Sequence, residues 1–164
     1  MNENYLILNG KRVELTEEQL KTLGIGLRKN PFARSPKHHN YYCIDASNMI
    51  DSVSEFGDAT DENRYNAVNY FNNKDFANQV ALHQLLYRKL LKFAYDNDCE
   101  DNQKWDEGSR HWCIRYDHSD KVFEVHWYAT FQSSDVYFST MESANRAIKE
   151  VVEPFMRDYP GFVW

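Results

Sequence analysis

Two arginine–tyrosine pairs, Arg64-Tyr65 and Arg115-Tyr116, are the residues of this chain best suited to hold a ligand. A guanidinium set among aromatic rings can grip a phosphate while the rings stack on a base. Both pairs read as strand residues, beside further aromatics at Tyr41, Tyr42, Trp112 and Tyr128. Strand alternation puts His126 on the same face as Glu124 and Tyr128. The candidate ligand- or partner-binding residues are therefore Arg64, Tyr65, Arg115, Tyr116, Tyr41, Trp112, Tyr128 and His126. The plainer reading is that strands favour aromatics and carry exposed arginine anyway.

Other chemistry is harder to find. The histidines are His38, His39, His83, His111, His118 and His126. His83 lies on the apolar face of a predicted helix and reads as a core histidine. His111, Asp117, His118 and His126 fall within one predicted hairpin, but their spacing matches no zinc-ligand pattern, so no metal is assigned. The glycines are scattered, which leaves no loop to cradle a phosphate, and no HExxH or GxSxG signature is present. General acid–base catalysis needs a carboxylate or histidine positioned in a pocket. Most carboxylates here sit in two acidic stretches, 51–62 and 96–107, which read as solvated loops. No catalytic residue and no cofactor is assigned, and the chain reads as a binding protein rather than an enzyme.

Composition narrows the partners. The net charge is −6, whereas a protein that binds nucleic acid by neutralising phosphates is usually basic. That argues against direct nucleic-acid binding and suits a basic partner protein, although moderate negative charge also simply keeps a small protein soluble. With 164 residues, 42% of them hydrophobic and 15% aromatic, one domain can build an adequate core. The three cysteines form no CxxC pair; Cys43 and Cys113 sit where buried strand residues sit, and Cys99 lies in an acidic loop. Met1 to Asn4 is neither basic nor apolar, and no run approaches the ~18 apolar residues of a membrane span, so no membrane is involved and the cytoplasm is expected.

The elements that must position these residues follow from pattern. Tyr5–Leu8, Asn9-Gly10 and Lys11–Leu15 predict a β-hairpin, because Asn-Gly supplies the positive φ of a tight turn. Thr16 to Gln19 is a capping box for a short helix that carries Leu20 and Leu23 inward and ends at Gly24, and hairpin and helix together should dock on the rest. Residues 25–40 read as a connector, basic from Arg28 to His39 through Arg28, Lys29, Arg34 and Lys37, and solvated. Residues 1–40 thus form an N-terminal segment and 41–164 the main domain.

Within 41–164 one order of elements occurs twice, in copies spanning about 41–96 and 109–158. Tyr42-Cys43-Ile44 and Trp112-Cys113-Ile114 each open a strand. Arg64 to Tyr70 predicts a returning strand in the first copy, and Val122–Tyr128 one in the second. Tyr70-Phe71 and Tyr137-Phe138 precede helices whose apolar positions recur at helical spacing. Phe71 to Ala77 and Phe138 to Ala144 are both six residues apart. The second helix is expected to open on a capping box at Ser139 to Glu142. The expected fold class is α+β: an antiparallel sheet from a duplicated strand-strand-strand-helix unit, after an N-terminal hairpin and short helix. If the copies pair, their Arg-Tyr strands frame one site.

The segment from Tyr5 to Leu20, Asn30-Pro31-Phe32, the Tyr42-x-Ile-Asp45 strand and the closing Pro154-Phe155-Met156 to Trp164 resemble small proteins of phages and prophages of Gram-positive bacteria. The resemblance covers most of the chain and its motifs are structural. It implies a viral accessory protein in the host bacterial cytoplasm, a class that often antagonises host defence. The expected partner is then an immune protein, such as a CRISPR nuclease, or a nucleotide immune signal held in a pocket. The alternatives are a nucleotide- or nucleic-acid-hydrolysing enzyme using His118 and His126, and a structural or regulatory phage protein that forms homo-oligomers.

Overall fold

The computed structural model describes residues 5–8, 10–22, 30–100, 104–133 and 135–164. Strands β1 (Tyr5–Leu8) and β2 (Lys11–Glu14) pair antiparallel, with Leu8 opposite Lys11, so the loop is the two residues expected, and Gly10 has φ +75°. Helix α1 (Glu17–Thr22) starts with both bonds of its capping box: Gln19 N–H to Thr16 Oγ1 (3.2 Å) and Thr16 N–H to Gln19 Oε1 (2.9 Å). The β2 side chains are exposed along the strand, and no described residue of β1, β2 or α1 joins a core cluster. The apolar side chains on which docking of this segment would depend, Tyr5, Leu6 and Leu8 among them, lie outside the described residues. Asn9, Leu23, Gly24, Arg28 and Lys29, and the side chain of Leu20, lie outside the described residues.

The first unit opens with β3 (Asn40–Ile44) against β4 (Ile50–Ser54), joined by a turn in which Asp45 Oδ1 accepts from the N–H groups of Ser47 and Met49. The chain then forms helix α2 (Ala59–Asn66) where a strand from Arg64 to Tyr70 was expected. The cause is local. Asp58 caps the helix by accepting from Thr60 and Asp61 N–H, and Asp61 reaches back to the Asp58 N–H, a reciprocal start that an extended segment cannot use. The strand shrinks to one bridge: Tyr42 and Phe71 exchange both main-chain hydrogen bonds, at 2.7 and 2.8 Å. Beside it the Asn69 side-chain amide accepts from the Ile44 N–H (2.7 Å) and donates to its C=O (2.8 Å), imitating the next strand residue. Helix α3 (Lys74–Asp96) follows, capped by Asn73.

The second unit also opens on a hairpin and a bridge before its helix, without a counterpart of α2 among the described residues. β5 (His111–Asp117) pairs with β6 (Val122–Tyr128), and Trp112 exchanges main-chain bonds with Phe138 at 2.9 and 2.7 Å. Thr140, one residue later than expected, caps α4 (Met141–Ala147), whose Ala144 is as buried as its counterpart Ala77 in α3. A π-helical segment (Ile148–Val152) and α5 (Glu153–Asp158) continue α4. Proline explains the widened turn: Pro154 offers no N–H to the helix and its ring crowds the carbonyl four residues back. Glu153 N–H accordingly bonds Ile148 O, five residues away. The strands make three separate two-stranded antiparallel ladders rather than one sheet.

Helix α3 holds the units together. Its Leu82, Leu86, Leu90 and Ala94 enter the main core with Ile114, Phe138, Val152 and Phe155, while Asn48 in the β3–β4 turn donates to the Ala81 carbonyl (3.0 Å). The closing segment returns to the domain: Gln79 binds the Gly161 carbonyl and the Val163 N–H, Phe162 is buried, and Trp164 sits edge-on to Phe123 at 4.9 Å. Cys99 is buried, accepting from the Ser139 N–H, and not in an open loop; His83 is exposed, edge-on to Phe162 at 4.6 Å, and not a core residue. Among the described residues no helix is long and apolar enough to cross a membrane. Asn69→Ala strands two main-chain groups of Ile44, so it is expected to lower the unfolding free energy by about 1–3 kcal/mol, read as a lower urea midpoint at unchanged slope.

Candidate functional site

The densest polar cluster was not legible as one. Alternation along β3 turns Tyr41 and Cys43 to the face that α2 covers. Tyr70, just before the bridging Phe71, stacks on Tyr41 with ring centres 3.9 Å apart. Both rings are buried, so each hydroxyl needs partners. Tyr41 OH donates to Asp61 Oδ1 (2.8 Å) and accepts from Arg64 Nη1 (2.8 Å). Tyr70 OH donates to Glu55 Oε2 (2.6 Å) and accepts from the Ser35 N–H (3.1 Å).

Glu55 and Asp61 are themselves buried, against the expectation that the 51–62 acids are solvated. Arg34 donates to both Glu55 oxygens (3.2 and 3.3 Å) and to Glu62 (2.6 Å). The Gly57 N–H bonds both Glu55 (2.7 Å) and Asp61 (2.9 Å), and the Phe56 N–H also bonds Asp61 (2.8 Å). Gly57 has φ +74°, and a Cβ there would meet the Lys37 side chain at 3.2 Å, so the turn that aims these donors requires glycine. Burial opposes the charge on each carboxyl. For Glu55 the bonds from Tyr70, Arg34 and Gly57 outweigh it, and for Asp61 those from Phe56, Tyr41 and Asp58; both are held below the usual range. Burial, with the bond to Asp61, pushes the Tyr41 hydroxyl up to about 12 even though Arg64 pulls the other way. Two anions saturated with donors are structural acceptors. Arg34, expected in a solvated connector, is part of their clamp.

The second unit builds the same corner from other residues. His111 takes the place of Tyr41 beside Tyr137, whose hydroxyl accepts from the Ser133 N–H (2.7 Å) as Tyr70 does from Ser35. Trp105 stacks on His111 at 3.8 Å, and a His111 ring nitrogen lies 3.0 Å from the Asp106 carbonyl. Among the described residues no helix stands where α2 stands in the first unit. The face of β5–β6 that carries His111 and Cys113 therefore continues into open side chains: Arg115, Glu124, His126 and, partly covered, Tyr128. The Arg115 guanidinium lies 5.0 Å from the Tyr128 ring centre and His126 meets that ring edge-on at 5.1 Å. Arg115 makes no ion pair among the described residues.

The eight predicted residues thus divide. Arg115 and His126, both exposed, group with the partly covered Tyr128. Arg64 and Tyr41 bind each other inside the first unit, with Tyr65 at its rim, edge-on to Tyr70 at 5.4 Å and under Arg34. Trp112 and Tyr116 turn to the opposite face of β5, Trp112 against the main core and Tyr116 against Phe123 at 4.9 Å. The two Arg-Tyr pairs lie on different elements, Arg64-Tyr65 on α2 and Arg115-Tyr116 on β5, and each arginine meets an aromatic of its own unit, Tyr41 and Tyr128. His118 lies beyond Asp117 while His126 faces Cys113, so roughly 13 Å of strand separates them and they do not converge on one atom. Among the described residues no group of three or more His, Cys, Asp or Glu is placed to hold a metal ion. Burial pushes the Cys43 thiol up and the Cys113 thiol to about 11, which keeps both protonated and unreactive.

Sequence reasoning missed Arg34, Glu55, Asp61 and Tyr70. The Asp58-x-x-Asp61 cap was the available signal, since a helix at 59–66 cannot coexist with a strand from 64. Comparison with protein-family models, curated proteins and solved structures finds no match to this chain.

Because both carboxyls are depressed in the folded state, the stability they contribute is present above their ordinary values of 4.5 for Glu55 and 3.8 for Asp61, and is lost as pH falls from there through the lower folded values. Glu55→Gln is expected to flatten that acid limb in denaturant titrations at stepped pH. Tyr41→Phe leaves Asp61 and Arg64 short of a partner and is expected to cost about 1–3 kcal/mol at neutral pH.

Proposed function

We propose that this chain is a binding protein that docks a partner protein on the arginine–aromatic face of β5–β6. One observation carries the reading: the Arg115 guanidinium, without a carboxylate partner among the described residues, is held over Tyr128 on an open strand face beside His126. Arginine and tyrosine on a preformed surface are the side chains that dominate binding energy at protein interfaces, because a planar guanidinium and a stiff ring contribute large contact area at small entropic cost. The resemblance to phage and prophage proteins supplies the partner class, a host defence protein in the bacterial cytoplasm, of which a CRISPR nuclease is one example.

A second reading keeps the same face and changes the ligand. A guanidinium over a tyrosine ring also suits a nucleotide immune signal, with the phosphate on Arg115 and the base on Tyr128. The internal use of Arg64 favours the protein reading, since it leaves one such pair open rather than two.

Capture of the chain from lysate of a defence-bearing host, followed by mass identification of bound protein and small molecules, tests both. A stoichiometric protein whose affinity falls about 30-fold in Arg115→Ala, the loss of a hot-spot side chain worth about 2 kcal/mol, is the expected result. A nucleotide that raises the melting temperature, with the logarithmic dependence on its concentration expected of a ligand of the folded state, supports the second reading instead. A partner held equally well by Arg115→Ala and Tyr128→Ala would sink the assignment of this face.

A further inference from the structure

Among the described residues none pairs with the outer edge of β6, and its sequence is complementary to itself. Trp112 directs its N–H and C=O to Phe138, away from β6, so Trp112 and Trp127 are a non-hydrogen-bonded pair of the β5–β6 ladder. The ladder bonds then run through His111–Tyr128, Cys113–His126, Arg115–Glu124 and Asp117–Val122. By the same alternation, Phe123, Val125 and Trp127 point their main-chain groups outward, and these make no hydrogen bond to other described residues. Natural edge strands are usually blunted by lysine, proline, a bulge or shortness. β6 has none of these over seven residues in unbroken register, whereas β4, the matching edge of the first unit, has five residues, three of them Asp51, Ser52 and Ser54. Val122 and Trp127 are 44% and 42% exposed.

We propose that two copies of this chain pair antiparallel through β6, about a two-fold axis at Val125, to give a four-stranded sheet. An antiparallel contact between identical strands is isologous, so its centre must fall on the dyad. Only a centre at Val125 uses all three outward-facing residues. Val125 then exchanges both main-chain bonds with the partner's Val125, and Phe123 does so with the partner's Trp127, for about six hydrogen bonds in all. The side chains match in the same register. Glu124 stands opposite the partner's His126, Phe123 opposite the partner's Trp127, and Val122 opposite the partner's Tyr128. Acid–base, aromatic–aromatic and β-branched–aromatic pairs directly across a ladder are the favourable ones. The contact uses the strand's edge and leaves Arg115 free, but it shares His126 and Tyr128 with the docking face proposed above, so it is tested by self-association and not by partner capture.

Sedimentation velocity of the full chain over a concentration series tests this with three variants. The wild type is expected to move from monomer to dimer as concentration rises. His126→Glu sets glutamate against glutamate and is expected to weaken the dimer at least tenfold, as Glu124→His does to a smaller extent. The double variant Glu124→His/His126→Glu restores both cross-axis pairs and is expected to return to within about threefold of wild type. A wild type that stays monomeric throughout, or a double variant no better than His126→Glu, overturns the proposal. Amide exchange of the wild type gives an answer that needs no variant. The amides of Phe123, Val125 and Trp127 are expected to slow with rising concentration while those of Glu124 and His126, already in the ladder, do not; no change in the first three overturns it.

Discussion

Two reciprocal main-chain bridges, Tyr42 with Phe71 and Trp112 with Phe138, are the contacts on which the arrangement rests. Each pins the first strand of a hairpin to the residue just before a helix. Because alternate residues point to opposite faces, the bridge also decides that the preceding tyrosine, Tyr70 or Tyr137, faces the neighbour of the paired aromatic, Tyr41 or His111. Three residues later each helix begins, and its alanine, Ala77 or Ala144, is buried without exposure. Alanine there lets a helix approach closely, which a longer side chain would prevent.

The units differ in how they close the other face of the hairpin. The first inserts α2 and buries two carboxylates to hold it, with every acceptor matched by a hydroxyl, a guanidinium or a backbone N–H. Such a cluster is stable only when complete, since one missing donor leaves a buried charge with no water to replace it. The second unit closes the same corner with Trp105 against His111 and leaves the remainder of the face open. Identical backbone logic therefore yields a sealed polar knot in one unit and an accessible arginine–aromatic surface in the other.

The π-helical turn follows from a local constraint in the same way. Pro154 deprives one carbonyl of its donor, and the helix keeps running by widening rather than stopping. The continuation carries Phe155 into the core and brings Phe162 and Trp164 back onto α3 and β6, which seals the second unit.

Short-range chemistry was readable from the residues alone. The two-residue hairpin loop ending at Gly10, the Thr16 capping box, Cys43 and Cys113 on buried strand faces, and the burial of Ala77 and Ala144 six residues after Phe71 and Phe138 all depend on neighbours within a few positions, and all took the expected form. Arg64-Tyr65 and Arg115-Tyr116 look alike over that range, so the residues could not tell them apart. Only the tertiary structure decided that the Asp58 cap turns the first pair into a helix, that Arg64 closes on Tyr41, and that Glu55 is met by Arg34 from 21 positions away. The reason is physical. A carboxylate or guanidinium is compatible with either water or a fully matched interior, and which it meets depends on partners that only folding brings together.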